Sequence, residues 1–558
     1  TGSKIMVYAQ QLVKVKELTV TRGFQSASTR RLHVGLGDIQ KLDSIVVIWP
    51  DGTYQTEEGM AINESHMIAK KTGLLSYAYS PVSKPSTLSK FGYRHIENSY
   101  LDYEREALIP EKLSVEGPAV VAADFNGDDR IDIFIGGAKY QPATLYLKDE
   151  NGAYHLKKVD PFEEDEVFED VDAEVFDLEN DGDLDLYVIS GGNDLMEGNP
   201  YLEDRVYIND GQGNFERMNA MLPMTNGGSI SSGDFNADGY ADLFIGGRSM
   251  PGAYGLPPMS MILKNTSKQN FEAVASGRYG MVTDSQWADI NNDGQLDLII
   301  IGDWMPITVM VNTGNDHFED QTKKYGLDKT NGMWNALIID DLDGNGFNDI
   351  IVGNAGLNLK WKASKEKPIK LYLDDFDGNG QPDPLIFYNF NGHYVPFASK
   401  DNLMTQLPYL KKRFLSYSDF AKIQGVEDLT GKPEKDITLL AEIHELRSMV
   451  YLNDGSTFEG IPLPKEAQMS AIEDILLDTD GSQKQVYFVG NYMDYVNELG
   501  NSDANPGGLL TNFNGTSFET YHSLGLPMNI SARKLIKLDD KKFLVITNND
   551  DAFVITLQ

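Results

Sequence analysis

The sequence predicts an all-β fold: a seven-bladed β-propeller with ion-binding hairpin loops, preceded by a small N-terminal β domain and interrupted by a helical insertion. Three observations carry that expectation. A short acidic pattern, Asp-x-(Asp/Asn/Glu)-x-(Asp/Asn)-(Gly/Asp)-x-x-Asp, recurs from Asp124, Asp177, Asp234, Asp289, Asp341 and Asp375. The first five starts stand 53, 57, 55 and 52 residues apart, the period of a repeated structural unit. Strand-like flanks surround the copies, such as Ile131-Asp-Ile-Phe-Ile, and further strand pairs appear in Arg205-Val-Tyr-Ile-Asn-Asp-Gly, Thr308-Val-Met-Val-Asn-Thr-Gly and Met449-Val-Tyr-Leu-Asn-Asp-Gly. Four strands in about 50 residues make one propeller blade.

In chain order, residues 1–85 read as a small β domain without acidic loops. Its strands are expected in Lys4-Ile-Met-Val-Tyr, from Gln11 to Thr21, and in Ser44-Ile-Val-Val-Ile-Trp, with a turn at Pro50-Asp51-Gly52. A Pro/Ser link, Ser80-Pro-Val-Ser-Lys-Pro-Ser, leads to the propeller at 86–558. Blades are expected to begin near residues 117, 171, 227, 283, 332, 470 and 530. The last is short of strands at the C-terminus, and Phe91-Gly-Tyr-Arg-His-Ile-Glu is expected to complete it and close the ring. The fifth carries an insertion at about 384–445, helical around Asn402–Phe420 with a local basic cluster, read as a partner contact or a cap over a blade edge.

The repeated pattern has the chemistry of a calcium loop. Calcium takes about 6–8 oxygen ligands, so a tight loop returning acids at alternate positions suits it. Positions 1, 3, 5 and 9 offer side-chain oxygens and position 7 a backbone carbonyl. The regular copies are Asp234, Asn236, Asp238, Tyr240 and Asp242; Asp289, Asn291, Asp293, Gln295 and Asp297; and Asp341, Asp343, Asn345, Phe347 and Asp349. The first copy (Asp124, Asn126, Asp128, Arg130, Asp132) has Asp129 where Gly is expected, and the second (Asp177, Glu179, Asp181, Asp183, Asp185) has a longer acid at position 3. The sixth (Asp375, Asp377, Asn379, Gln381, Asp383) carries Pro382 and follows the fifth by only 34 residues. An EF-hand requires a bidentate Glu at position 12 and flanking helices. Position 12 is Ile135, Val188, Ile245, Ile300 or Val352 in the first five copies, which excludes it. About five Ca²⁺ ions, or six with the last loop, are expected. Metal-free Asx turns are the bland alternative, but they need no acid at position 9.

A net charge of −36 argues against a nucleic-acid partner, since such a surface repels phosphates. The absence of cysteine excludes disulfides and thiol chemistry, and no apolar run approaches a membrane span. The chain opens without Met inside a strand-like stretch, and is expected to be part of a longer polypeptide. Loops of this type suit compartments rich in calcium, which points to an extracellular or cell-surface location.

The Asp-Phe-Asn-Gly-Asp…Asp-Ile-Phe-Ile-Gly-Gly units resemble FG-GAP/VCBS repeats, the calcium-bearing blades also seen in integrin α-subunit propellers. Arg31-Leu-His-Val-Gly-Leu-Gly-Asp followed by Ser44-Ile-Val-Val-Ile-Trp-Pro-Asp-Gly-Thr resembles an ASPIC/UnbV domain, incomplete at its N-terminus. Together they are similar to the large proteins of this architecture in Bacteroidetes, related to cartilage acidic protein 1. The resemblance implies a secreted or cell-surface protein, associated with the outer membrane of a Gram-negative bacterium, with a binding or adhesion role toward protein or glycan.

Trp304, Trp334 and Trp361 are the candidate ligand-stacking residues, against the alternative that they pack between blades. A propeller polysaccharide lyase or hydrolase is the enzymatic alternative, but none of the eight histidines lies in an H-E-x-x-H motif and no G-x-S-x-G is present, so a non-catalytic role is expected. A permanent structural subunit of an outer-membrane uptake assembly is the third reading.

Overall fold

The computed structural model describes residues 2–9, 12–21, 23–78, 86–266, 270–481 and 483–558, except the side chain of residue 480. The chain forms two compact units, Thr1–Ser83 and Lys84–Gln558. Most of the expected Pro/Ser link, residues 80–85, lies outside the described residues.

In the first unit, strands Lys4–Ala9, Leu12–Glu17, Ser44–Ile48, Thr53–Glu58 and Leu75–Ser76 form one sheet. The third strand pairs with both the first and the fourth. Alternation sends Val7 and Ala9 to one face, where they pack with Leu42. At the Pro50-Asp51-Gly52 turn Gly52 has φ 81°, and the Asp51 carboxylate accepts the Thr53 N–H at 3.2 Å.

The second unit is a β-propeller. Seven four-stranded sheets open with the strands Val120–Ala123, Asp170–Phe176, Gly227–Gly233, Met281–Ala288, Trp334–Asp340, Ile472–Asp480 and Ser531–Lys537. Among the described residues an apolar cluster fills the space between each sheet and the next. The last cluster joins Leu544 and Ile546 of the seventh sheet to Val120 and Ile133 of the first. Ser86–Arg94 supplies the fourth strand of the seventh sheet, pairing with Asp551–Leu557. The first strands enclose a cavity of about 90 Å³, lined by Asp172, Asp284, Glu473, Arg533 and Lys534 among others.

Residues 95–118 cross one end of that enclosure. Ile109 and Leu113 pack among Tyr254, Tyr492 and Tyr495. Two buried acids hold this crossing segment. Asp102 accepts the Leu113 N–H at 3.1 Å, and Glu106 accepts the Gly252 and Tyr254 N–H groups at 3.2 and 3.1 Å.

The insertion is larger than expected. The chain leaves the fifth sheet after Asp349–Asn354 and returns at Met449–Asn453, and these two strands pair directly. Between them lies an additional sheet of Ile369–Asp374, Asp383–Phe390, His393–Pro396 and Leu439–Ile443. The boundary near 384 is therefore corrected to a point just after Asn354. The reason is pairing: Ile369–Asp374 bonds to Leu439–Ile443, not to a propeller strand. Short helices at Lys400–Gln406, Leu410–Arg413, Tyr417–Phe420 and Val426–Thr430 follow. Leu403, Leu407, Leu410 and Phe414 bury against Tyr372, Leu385 and Phe387, so the helical stretch covers the inserted sheet.

Candidate metal loops

Each acidic repeat forms the turn between two strands. At position 1 the carboxylate folds back over its own loop. Asp289 accepts the Asp293 and Gly294 N–H groups at 3.2 and 2.8 Å; Asp341 accepts those of Asn345 and Gly346, both at 3.0 Å. The same pair of bonds recurs at Asp124, Asp177, Asp234 and Asp375. Turning so sharply needs positive φ at two positions. Position 6 holds Asp129 (61°) or glycine, Gly294 at 86° for instance, and position 4 holds Gly127, Asn180, Ala237, Asn292, Gly344 or Gly378. Asp129 takes the left-handed conformation that Asp tolerates better than most residues.

At position 9 the acid is buried in every loop: Asp132, Asp185, Asp242, Asp297, Asp349 and Asp383. In every loop but the third, one oxygen takes a backbone N–H from position 2, as from Ile290 to Asp297 at 3.1 Å and from Leu342 to Asp349 at 2.8 Å. In the first five loops the other takes an N–H from the third strand, given by Lys148, Asn209, Asn265, Asn312 and Asn453 at 2.8–2.9 Å. In the sixth, the Gln406 side chain takes that place at 2.8 Å. Burial pushes Asp185 and Asp242 up to about 7, and Asp297 and Asp349 up to about 6, with neighbouring loop acids adding to the rise. Asp183 rises to about 6 through burial and the adjacent Asp181.

Two of these loops fit a metal ion. In the fifth and sixth loops three carboxylate oxygens, from Asp341, Asp343 and Asp349 and from Asp375, Asp377 and Asp383, lie within 4.8 Å of one another and could hold a metal ion. Among the described residues the acids of the other four loops are not gathered that closely. Two of those loops nevertheless hold buried carboxylate oxygens without a hydrogen-bond partner, Asp183 Oδ1 and Asp242 Oδ2. The first loop has an internal cation: the Arg130 guanidinium pairs with Asp128 and donates to the Lys148 carbonyl at 2.9 Å. The short spacing of the sixth loop is explained by its place in the inserted sheet.

A recurrent asparagine went unassigned in the sequence. Its side chain reaches the preceding sheet's loop: Asn209 to the Phe125 carbonyl, Asn265 to Leu178, Asn312 to Phe235 and Asn453 to Ile290, at 2.8–3.0 Å. Each of these residues thus bonds its own loop through the backbone and its neighbour's through the amide. The signal was the Asn ending each Val-x-x-Asn-type strand, legible only once the ring places that strand beside the previous loop.

The three tryptophans are corrected. Trp304, Trp334 and Trp361 are 6%, 0% and 0% exposed, and none offers a face to a ligand. Trp304 donates to the Tyr254 hydroxyl at 2.9 Å and Trp334 to the Thr330 carbonyl at 3.0 Å, while Trp361 packs edge-on against Phe397. Large aromatics between converging loops gain more from burial than from exposure.

Fold and loops together define a repeat propeller whose first hairpins carry oxygen-rich acidic turns. The ASPIC and UnbV family model matches residues 1–74 and the FG-GAP-like repeat model matches 124–188, 177–245 and 289–352, so the chain carries an ASPIC/UnbV module and FG-GAP-like repeats. No curated protein matches the chain. Similar solved structures include YCF48 from Cyanidioschyzon merolae (TM-score 0.38, 10% identity, covering 80% of this chain and 98% of that one). Another is Chaetomium thermophilum Sqt1 bound to the N-terminus of the ribosomal protein L10 (TM-score 0.37, 8% identity, 80% and 100% covered).

Proposed function

We propose that this chain is a calcium-stabilised binding propeller of the extracellular space or cell surface, recognising a partner protein without catalysis. The observation that supports it best is the set of acidic turns, built alike on successive sheets and linked by asparagines across sheet boundaries. A cation in such a turn neutralises acids that otherwise repel one another and fixes the hairpin; the residues at positions 1, 3, 5 and 9 would hold it. The ions are then structural, and recognition falls to the loops and connections between sheets. Ions bound only by the folded chain stabilise it by mass action, by about 2.7 kcal/mol per site at a hundredfold excess over Kd. Melting the chain in millimolar calcium and in excess EDTA tests this. The expected result is a fall of many degrees in EDTA, restored by calcium and not by sodium. An unchanged melt, with no calcium found by elemental analysis, would refute the calcium role.

A further inference from the structure

The sixth acidic turn differs from the five blade turns in what holds its last acid. In a blade the third strand runs beside position 9 and fixes it with a backbone N–H, from Asn312 to Asp297 at 2.9 Å for instance. In the inserted sheet the neighbouring strand His393–Pro396 pairs with residues 387–390, and the Phe397 N–H then bonds the Ile386 carbonyl at 2.8 Å. There the chain leaves the sheet, before reaching Asp383, and enters the helix Lys400–Gln406. Its N-terminus is capped by Ser399, whose hydroxyl accepts the Asn402 N–H at 3.2 Å. Gln406, the last residue of that helix, donates its side-chain N–H to Asp383 Oδ1 at 2.8 Å, while Oδ2 takes the Phe376 N–H at 3.0 Å. A blade turn is closed by its own sheet, the sixth by a helix.

This fastening matters because the helices carry little order of their own. They span seven, four, four and five residues. Isolated helices shorter than about 12–15 residues are marginal in water, and short docked elements open locally without unfolding the whole. Leu403, Leu407, Leu410 and Phe414 supply the apolar hold on the sheet. Gln406 supplies a polar one, to a charged acceptor. That acceptor belongs to a group of three carboxylates, of Asp375, Asp377 and Asp383, with oxygens within 4.8 Å of one another. Like charges so close repel, and the repulsion pushes Asp383 from the position in which Gln406 meets it unless a cation offsets it. Just beyond Gln406 the chain exposes Lys411 and Lys412 of the basic cluster, with Leu415 and Tyr417 83% and 63% accessible.

We propose that the sixth turn is a calcium-operated latch for the helical stretch. With an ion bound, Asp383 stays where Gln406 meets it, residues 400–413 stay docked, and the surface of Lys411, Lys412, Leu415 and Tyr417 is held in place. The latch rests on the calcium reading above and gives one turn a regulatory part that the five blade turns lack.

The test follows amide hydrogen exchange by mass spectrometry on the full chain in millimolar calcium. Asp377→Asn should speed exchange at residues 400–413 about tenfold, the effect of losing one hydrogen bond to a charged group. It should leave the blade strand Trp334–Asp340 as protected as in the wild type. Asp343→Asn, the same change in the fifth turn, should expose that strand and leave the helices protected. Gln406→Ala should speed the helices in calcium and make them indifferent to EDTA, which separates the link from a general loss of stability. Helices equally protected in the wild type and in Asp377→Asn overturn the latch, as does a Gln406→Ala chain whose helices still respond to EDTA. If EDTA nevertheless lowers the melting temperature, the calcium reading stands without the latch. An EDTA-insensitive melt with no bound calcium overturns both.

Discussion

At the residue scale, the asparagine links separate loop chemistry from ring assembly. Asn312 is buried and donates its side-chain amide to the Phe235 carbonyl across a sheet boundary. Leaving a buried carbonyl without a partner costs about 1–3 kcal/mol, so Asn312→Ala should lower stability by that amount with calcium present or absent. Denaturant titration in calcium and in EDTA reads both values; a loss confined to calcium would mean the residue acts through the ion. Asp204 allows a pH prediction remote from the loops. It is 1% exposed and takes the Ser190 N–H and the Tyr187 hydroxyl at 3.2 and 3.0 Å, and burial pushes it up to about 8. The unfolded chain releases this proton near pH 4, whereas the folded chain keeps it to about 8. Ionisation therefore favours the unfolded state, and stability falls as pH rises through that window, by up to about 1.4 kcal/mol per pH unit. Asp204→Asn should flatten this dependence, so the wild type should lose more stability than the variant between pH 5 and 7.5.

At the element scale, the hairpins divide by what their acids touch. Asp293 has its Oδ1 occupied by the Gln295 N–H within the turn, whereas Asp478 of the sixth sheet is paired at 2.8 Å with the partly exposed Lys537. An exposed ion pair contributes about 0–1 kcal/mol. Asp293→Ala should therefore lower the melting temperature in calcium more than Asp478→Ala, and the difference should shrink in EDTA. Equal effects in calcium would contradict this division of sites. The turns were legible in the sequence because cation chemistry demands oxygens at fixed short spacing, and the period exposed the sheets that carry them. The inserted sheet was not, because the turn at Asp375 obeys the same local rule as a blade hairpin. Only its spacing of 34 residues hinted otherwise, and strand pairing with Leu439–Ile443 is a long-range fact. The tryptophans failed for a related reason: an aromatic on a loop reads alike whether the loop is open or covered.

At the scale of the whole molecule, the ring depends on joining its two ends. Ser86–Arg94 completes the seventh sheet, burying Tyr93 to 5% exposure and setting Phe91 edge-on to Tyr146 and Tyr154 at 5.1 and 5.5 Å. Each buried aromatic of this size contributes about 1.5–3 kcal/mol, and the strand also covers the open edge of Asp551–Leu557. A chain beginning at residue 84 should therefore unfold cooperatively, because it retains every strand of its unit. A chain beginning at residue 98 should be less stable by about 3 kcal/mol or more and prone to associate through the uncovered edge. Calorimetry with light scattering on the two chains measures both effects. If the shorter chain melts like the longer and stays monomeric, the neighbouring sheets hold the ring without its closing strand. Calcium would then carry more of the stability than the closure does, and EDTA should unfold the shorter chain no more readily than the longer.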